Sequence, residues 1–305
     1  MILKRETVGL FDQENDKQQF VTECDRRLED RMETAVKKLT STSDLRLFGL
    51  TGPTCSGKTT AARKLTDYLE DHGMTVHIIS IDDFFYDKEY LHRRAHQSSD
   101  IEIDYDSEET IDMELLEEKT ESLLSFRKTL LPHFDFQSGL RKEGECILPS
   151  EKDVFLFEGI QVLYPKVEAI LNRYHARNLA IFPSSQLMID GVMFEPNEIR
   201  LYRRLVRDFR YRSASAEFTF YLWKSVRENE EKNIFPNIHR CCAEIDSTMA
   251  YEIGMLKPYL QPLLQQIAPQ NLYFESAQQI LDKIERIQPI SDQYLTEKSL
   301  YKEFI

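Results

Sequence analysis

The chain has 305 residues, of which 41% are hydrophobic and 30% charged, and its formal net charge is −13. That balance suits a globular chain with a sizeable core and excludes wholesale disorder. The acidic excess disfavours a non-specific nucleic-acid binder, which needs a basic surface. No run approaches the roughly 20 apolar residues of a membrane helix. The first twenty residues are charged throughout and hold no apolar signal region, so a cytoplasmic location is expected, with neither nucleic acid nor membrane as partner. Cys24, Cys55, Cys146, Cys241 and Cys242 are odd in number and scattered. They show no C-x-x-C pair and no zinc spacing, and read as free thiols.

Residues 14–44 predict a helical extension, with Val21, Leu28, Met32, Val36 and Leu39 at helical spacing. A polar break follows at Ser41-Thr42-Ser43-Asp44. Thereafter strands alternate with helices. Strands are predicted over 45–50, 76–81, 154–157, 179–182 and 271–274. Helices are predicted over 58–71, 112–124, 198–210, 250–267 and 277–287. Short apolar strands alternating with helices predict an α/β fold, a mostly parallel central sheet with helices on both faces. The main domain is expected over 45–290, with a tail over 291–305.

Only ten glycines occur in the chain, so their clustering at 49, 52 and 57 is informative. Gly52-Pro53-Thr54-Cys55-Ser56-Gly57-Lys58-Thr59 fits G-x-x-x-x-G-K-[ST], and Thr60 continues it. The glycines let backbone N–H groups curl around phosphate oxygens, and the following helix start adds its dipole. Lys58 is expected at the β/γ-phosphates of ATP and the Thr59 hydroxyl at Mg²⁺. A chance match has odds of roughly one in a hundred at average composition. Here the motif also lies between a predicted strand and a predicted helix, which disfavours an ordinary glycine turn. The apolar run Val154-Phe155-Leu156-Phe157 ends in Glu158, a second candidate Mg²⁺ ligand.

The Asn-Lys-x-Asp signature of GTPase switches and the LSGGQ signature of transport ATPases are both absent. A small-molecule kinase needs a carboxylate beside the acceptor hydroxyl and cations over the moving phosphoryl group. Asp82 and Asp83 stand at the C-terminal end of the second predicted strand, where open α/β sheets bind ligands. One of them is expected to be catalytic, the other a helix cap or loop acid. Arg200, Arg203, Arg204, Arg207, Arg210 and Arg212 form the main basic concentration. Guanidinium groups fit phosphate oxygens, so at least two are expected at the nucleotide rather than on a solvated face.

Taken in order, Gly52–Thr59, Ser80–Tyr86, Phe134–Arg141, Leu156–Ile160 and Arg200–Asp208 resemble uridine–cytidine kinases. These belong to the phosphoribulokinase/uridine kinase group of P-loop kinases, and the similarity is strongest to a bacterial nucleoside-kinase branch. The resemblance covers about 45 to the end of the chain. It implies a P-loop kinase fold with a helical lid over about 200–233. It also implies transfer of the ATP γ-phosphoryl group to the 5′-hydroxyl of a nucleoside-like acceptor. By position, Asp82 matches the catalytic aspartate and Phe85 an aromatic position of the nucleoside pocket. Asp106 resembles a ribose-binding aspartate, with Asp104 as rival. Phe134 and Phe136 match aromatics lining the base site, with core packing as the plain alternative. Arg141 closes that motif as a nucleoside contact. Arg204 and Arg207 match lid arginines, and Arg203 neighbours them at the nucleotide. Gly139 stands where the pyrimidine kinases carry a base-reading histidine, so the base is left open. A kinase for another alcohol is the alternative, with His92-Arg93-Arg94 available to a phosphorylated acceptor. A non-catalytic ATP-binding regulator is a further one. The N-terminal helix is expected either on the core or in a subunit contact, which leaves a homo-oligomer open.

Overall fold

The computed structural model describes residues 4–8, 14–41, 46–98 and 107–305. In chain order its elements begin with β1 (Lys4–Val8), α1 (Glu14–Leu39), β2 (Leu47–Thr51), α2 (Lys58–Glu70) and β3 (Thr75–Ser80). Next come α3 (Lys88–Ser98), α4 (Met113–Leu124), β4 (Thr129–Asp135), β5 (Leu140–Ile147), β6 (Asp153–Glu158) and α5 (Pro165–Asn172). Then follow β7 (Arg177–Phe182), β8 (Ser185–Ile189), β9 (Val192–Phe194), α6 (Pro196–Arg212) and α7 (Ala216–Asn233). The last are β10 (Ala243–Asp246), α8 (Glu252–Leu264) and α9 (Phe274–Ile284).

The central sheet has the order β10-β7-β2-β6-β3, all parallel. Its inner strands β7, β2 and β6 are nearly continuous buried runs because both faces are covered, while the edge strands β3 and β10 are mixed. The two-residue strand period still sorts them. Phe48, Leu50, Val154, Leu156, Leu179 and Ile181 pack on one face with α1, α2, α6 and α8. Leu47, Phe155, Phe157, Ala180 and Phe182 pack on the other, with residues of α4 and α5. Helix α1 buries Val21, Leu28, Met32, Val36 and Leu39, as its spacing predicts, in the first of these cores. Arg31 fastens it by donating to the Asp246 carbonyl (2.9 Å) and pairing with Glu6 (2.8 Å). Leu300, Tyr301, Phe304 and Ile305 join the same core, so the segment after 291 is an interior element over its last turn.

The structure departs from the sequence reading in several places, and strands β1 and β10 and helices α3, α5 and α7 are additions to the predicted strands and helices. The strand expected over 271–274 is a turn that leads into α9. Asn271 accepts from the Tyr273 N–H through its own side chain (2.9 Å), and Leu272 points into solvent at 85% exposure. An Asx turn here outcompetes strand pairing. The antiparallel hairpin β4–β5 has no counterpart among the predicted strands, because β5 is largely exposed and charged and carries no clear period. The β8–β9 hairpin has none either, although Asp190-Gly191 at its tip takes positive φ at both positions (46° and 77°), as a two-residue loop of that type requires.

Candidate active site

The C-terminal ends of β2, β3 and β6 converge on one cavity of about 450 Å³. Lys58, Thr59, Asp82, Phe85, Phe136, Glu158, Gln161, Arg204, Arg207, Arg212, Asn229 and Glu303 are among the residues around it, as are Thr54 and Cys55 of the loop.

The loop Gly52–Thr59 joins β2 to α2, as the motif requires. Gly57 precedes α2 with φ +94°, and a Cβ there would come within 2.7 Å of Leu300, so only glycine fits. Lys58 folds back and donates to the Gly52 and Pro53 carbonyls (2.9 and 3.1 Å). Burial pushes the Lys58 amine down, while Glu158, Glu303 and Asp82 pull it up. Pro53 and Ser56 are buried within the loop. Thr60 donates its N–H and its hydroxyl to Glu303 Oε2, each at 3.2 Å.

Asp82 lies in a short 3-10 turn (Ile81–Phe84) directly after β3. Gln161 Nε2 donates to Asp82 Oδ1 at 2.8 Å and fixes the carboxylate. Burial pushes the Asp82 carboxyl above its ordinary value, and the Gln161 hydrogen bond and Lys58 oppose this. Asp83 is committed to the hairpin instead. It accepts the Phe134 N–H (2.9 Å) and lies 3.0 Å from His133 Nδ1. Between the two acids left open by the sequence, Asp82 is the one at the cavity. Glu158 ends β6, and Ser80 donates to its Oε1 at 3.0 Å. Burial pushes this carboxyl up as well, with Lys58 opposing. The Thr59 hydroxyl and the Glu158 carboxylate offer hard oxygen donors on one cavity. That fits Mg²⁺, which takes one or two protein oxygens and completes its shell with phosphate oxygens and water.

Phe85 and Phe136 form an aromatic wall, with ring centroids 6.3 Å apart and edge to face. Phe136 is exposed and Phe134 buried; Phe134 supports both rings from below at 5.6 and 5.1 Å. Arg141 is away from the cavity lining, paired with Asp112 at 2.9 Å, and its N–H is taken by Asp87. Asp104 and Asp106 lie outside the described residues. Gly139 closes the β4–β5 turn at φ +71°, with its N–H on the Asp135 carbonyl, and a Cβ there would meet Lys88 at 2.3 Å. The position is a turn. His92, Arg93 and Arg94 lie on α3 and are exposed, and Arg94 pairs with Glu109 (3.1 Å).

Helix α6 starts at Pro196 behind a reciprocal Glu195/Glu198 capping box and ends where Ser213 turns left-handed. Ser215 then caps α7 by accepting the Phe218 N–H. The arginine run divides by its position on α6. Arg204, Arg207 and Arg212 line the cavity, gathered on Asp208. Arg200 and Arg203 are instead buried behind the phosphate loop. Arg200 makes a twin contact with Glu230 (2.6 Å each) and donates to the Thr54 carbonyl. Arg203, expected at the nucleotide, is fully buried: it pairs with Glu252 (2.6 Å) and donates to the Ser247 and Cys55 carbonyls. These two residues hold the loop's shape from within the core. Gln161, Asn229, Glu230 and Glu303 join the site without having been singled out by the sequence. The last three come from the lid and the final segment, where no motif marks them.

A strand–loop–helix turn of the phosphate-binding pattern, with a buried carboxylate and a set of arginines on the same cavity, belongs to a P-loop kinase fold. The model of the phosphoribulokinase/uridine kinase family matches residues 47–253, and the chain belongs to that family. A uridine kinase of Lactobacillus johnsonii is 29% identical over 173 residues, 56% of this chain and 71% of that protein. A uridine kinase of Clostridium novyi is 29% identical over 171 residues, 56% of this chain and 72% of that protein. Among solved structures, a D-glycerate 3-kinase from Cryptococcus neoformans is similar with a TM-score of 0.48 and 15% identity, covering 74% of this chain and 97% of that one. Among the described residues no helix is long and apolar enough to cross a membrane.

Proposed function

We propose that the chain is an ATP-dependent kinase that phosphorylates the 5′-hydroxyl of a nucleoside. The observation that carries this is the shared cavity: the Asp82 carboxylate, fixed by Gln161, borders the same space as Lys58 and the Phe85/Phe136 wall. Two aromatic rings suit a planar base, which buries apolar faces and stacks without a specified hydrogen-bond pattern. Asp82 orients the acceptor hydroxyl in line and takes its proton as the oxygen bonds to the γ-phosphorus. The bond between that phosphorus and the bridging oxygen breaks, and ADP leaves. Lys58 and the cavity arginines stabilise the charge on the transferring group. Mg²⁺, held by Thr59 and Glu158 when bound, neutralises phosphate charge.

The test is ADP release from ATP and Mg²⁺ across an acceptor panel of uridine, cytidine, purine nucleosides, deoxynucleosides, pantothenate and sugar phosphates. Turnover with one or more nucleosides, lost in Lys58→Ala and in Asp82→Asn, supports the proposal and ranks the bases. Turnover only with a non-nucleoside alcohol, or nucleotide binding without acceptor-dependent turnover, overturns it.

A further inference from the structure

Two carboxylates hold backbone N–H groups of the phosphate loop and the helix it opens. Glu230 Oε1 accepts from the Thr54 N–H (3.3 Å), and Glu303 Oε2 accepts from the Thr60 N–H (3.2 Å). They differ in charge balance. Glu230 is 2% exposed and is neutralised by Arg200 and Arg227, each at 2.6 Å. Glu303 is partly exposed on the cavity, and its hydrogen bonds are the two from Thr60. Lys58 and Arg207 feel its charge without forming an ion pair with it. Glu303 therefore brings a carboxylate that makes no direct ion pair among the described residues to a donor in the first turn of α2, where a phosphate-loop protein presents N–H groups to a nucleotide's phosphates.

The segment that carries it is firmly seated. Tyr301 and Phe304 are fully buried, with the Arg203 guanidinium 5.6 and 5.0 Å from their rings. Tyr301 donates to Glu252 Oε2 (3.3 Å), and Tyr211 donates to the Ile305 carbonyl (2.7 Å). Leu300 lies against Gly57. The backbone at 303 is thus fixed beside the loop, while the carboxylate on its flexible stem can rotate away from Thr60.

We propose that Glu303 is a specificity residue of the nucleotide site: it competes with phosphate for the Thr60 donors and so selects metal-complexed nucleotide over free nucleotide. A free polyphosphate must displace a like charge held within a few ångströms. A divalent cation on the phosphates offsets that repulsion, and the same carboxylate then costs little. The inference rests on the phosphate-cradle reading of this loop.

The experiment measures the affinity of ADP and of inorganic pyrophosphate by calorimetry, in excess EDTA and in excess Mg²⁺. The proteins are the wild type, Glu303→Gln, Glu303→Ala and Lys58→Ala. Glutamine keeps an acceptor for Thr60 and removes only the charge; alanine is the second variant should glutamine disturb the fold. In EDTA both Glu303 variants are expected to bind both probes about tenfold more tightly than wild type, the scale of one relieved charge contact near a protein surface. In Mg²⁺ the change is expected to stay within about threefold, so the metal dependence shrinks. Unchanged or weaker binding in EDTA makes Glu303 a helix cap only and overturns the proposal. Equal tightening in both conditions overturns the selectivity. Wild-type binding that Lys58→Ala abolishes upholds the cradle independently of Glu303. Absence of any wild-type binding refutes the cradle and this inference together.

Discussion

Replacing Glu252 by glutamine tests how the phosphate loop is held. The carboxylate is fully buried and accepts from Arg203 Nε at 2.6 Å, from the Met249 N–H at 2.8 Å and from Tyr301 at 3.3 Å. Glutamine keeps the volume, removes the charge and leaves one acceptor oxygen for the donors that two carboxylate oxygens now serve, so the loss combines electrostatics with a broken hydrogen bond. The fully buried Arg203 guanidinium is then left with only neutral partners. Breaking a buried pair by removing one member costs about 3–5 kcal/mol. At about 2 °C per kcal/mol for a domain of this size, the expected fall in Tm is about 6–10 °C. The assay is thermal unfolding followed by circular dichroism, with nucleotide affinity measured alongside. Affinity should fall as well, because Arg203 also donates to the Cys55 carbonyl (3.3 Å) and shapes the loop. The exposed pair of Glu23 with Arg26 is the control, and its removal should leave Tm unchanged. The double variant Arg203→Met/Glu252→Leu should recover most of the stability but not the affinity, because a dry apolar pair replaces the ions without holding Cys55. A Glu252→Gln protein that melts within about 2 °C of wild type would refute the reasoning, since the buried charge would then cost too little to matter.

Asp82→Asn is expected to cut turnover by about 10²- to 10⁴-fold, read from initial rates, the range for a positioned general base. The same change should raise Tm at neutral pH. Burial raises the native Asp82 carboxyl above its unfolded value, so the native state holds a proton that the unfolded state has lost, and stability falls as pH rises through that window. An unchanged or lower Tm would contradict this. Gln161→Leu removes the hydrogen bond that opposes this shift, so the acidic limb of the pH–rate profile should move to higher pH with kcat reduced. A limb that stays put would remove Gln161 from its positioning role. Gly139→His should lower stability by about 1–2 kcal/mol in urea unfolding, because φ +71° and Lys88 both oppose a side chain there. It should bring no new preference for pyrimidines in the acceptor panel.

What the sequence determined by itself was the local chemistry. A glycine-flanked loop between an apolar strand and a helix start can be read from residue types alone, because glycine conformation, lysine reach and helix polarity act within about ten residues. Strand–helix alternation and the 3.6-residue stripe of α1 were legible for the same reason: burial on two faces, or on one stripe, leaves a periodic trace. The half-exposed ribbon β4–β5 leaves little trace, and the Asx turn at Asn271 mimics an apolar strand in composition. Only the tertiary structure divided the arginines, because their roles depend on which turn of α6 faces the loop and which the cavity. It also placed Asp82, already singled out by the family resemblance, at the cavity, and gave Asp83 to the hairpin. And it brought Glu303 to Thr60, a contact across 243 positions of chain. Such a pairing is fixed by how the last segment packs against Arg203 and Leu300 against Gly57, and no local pattern encodes it.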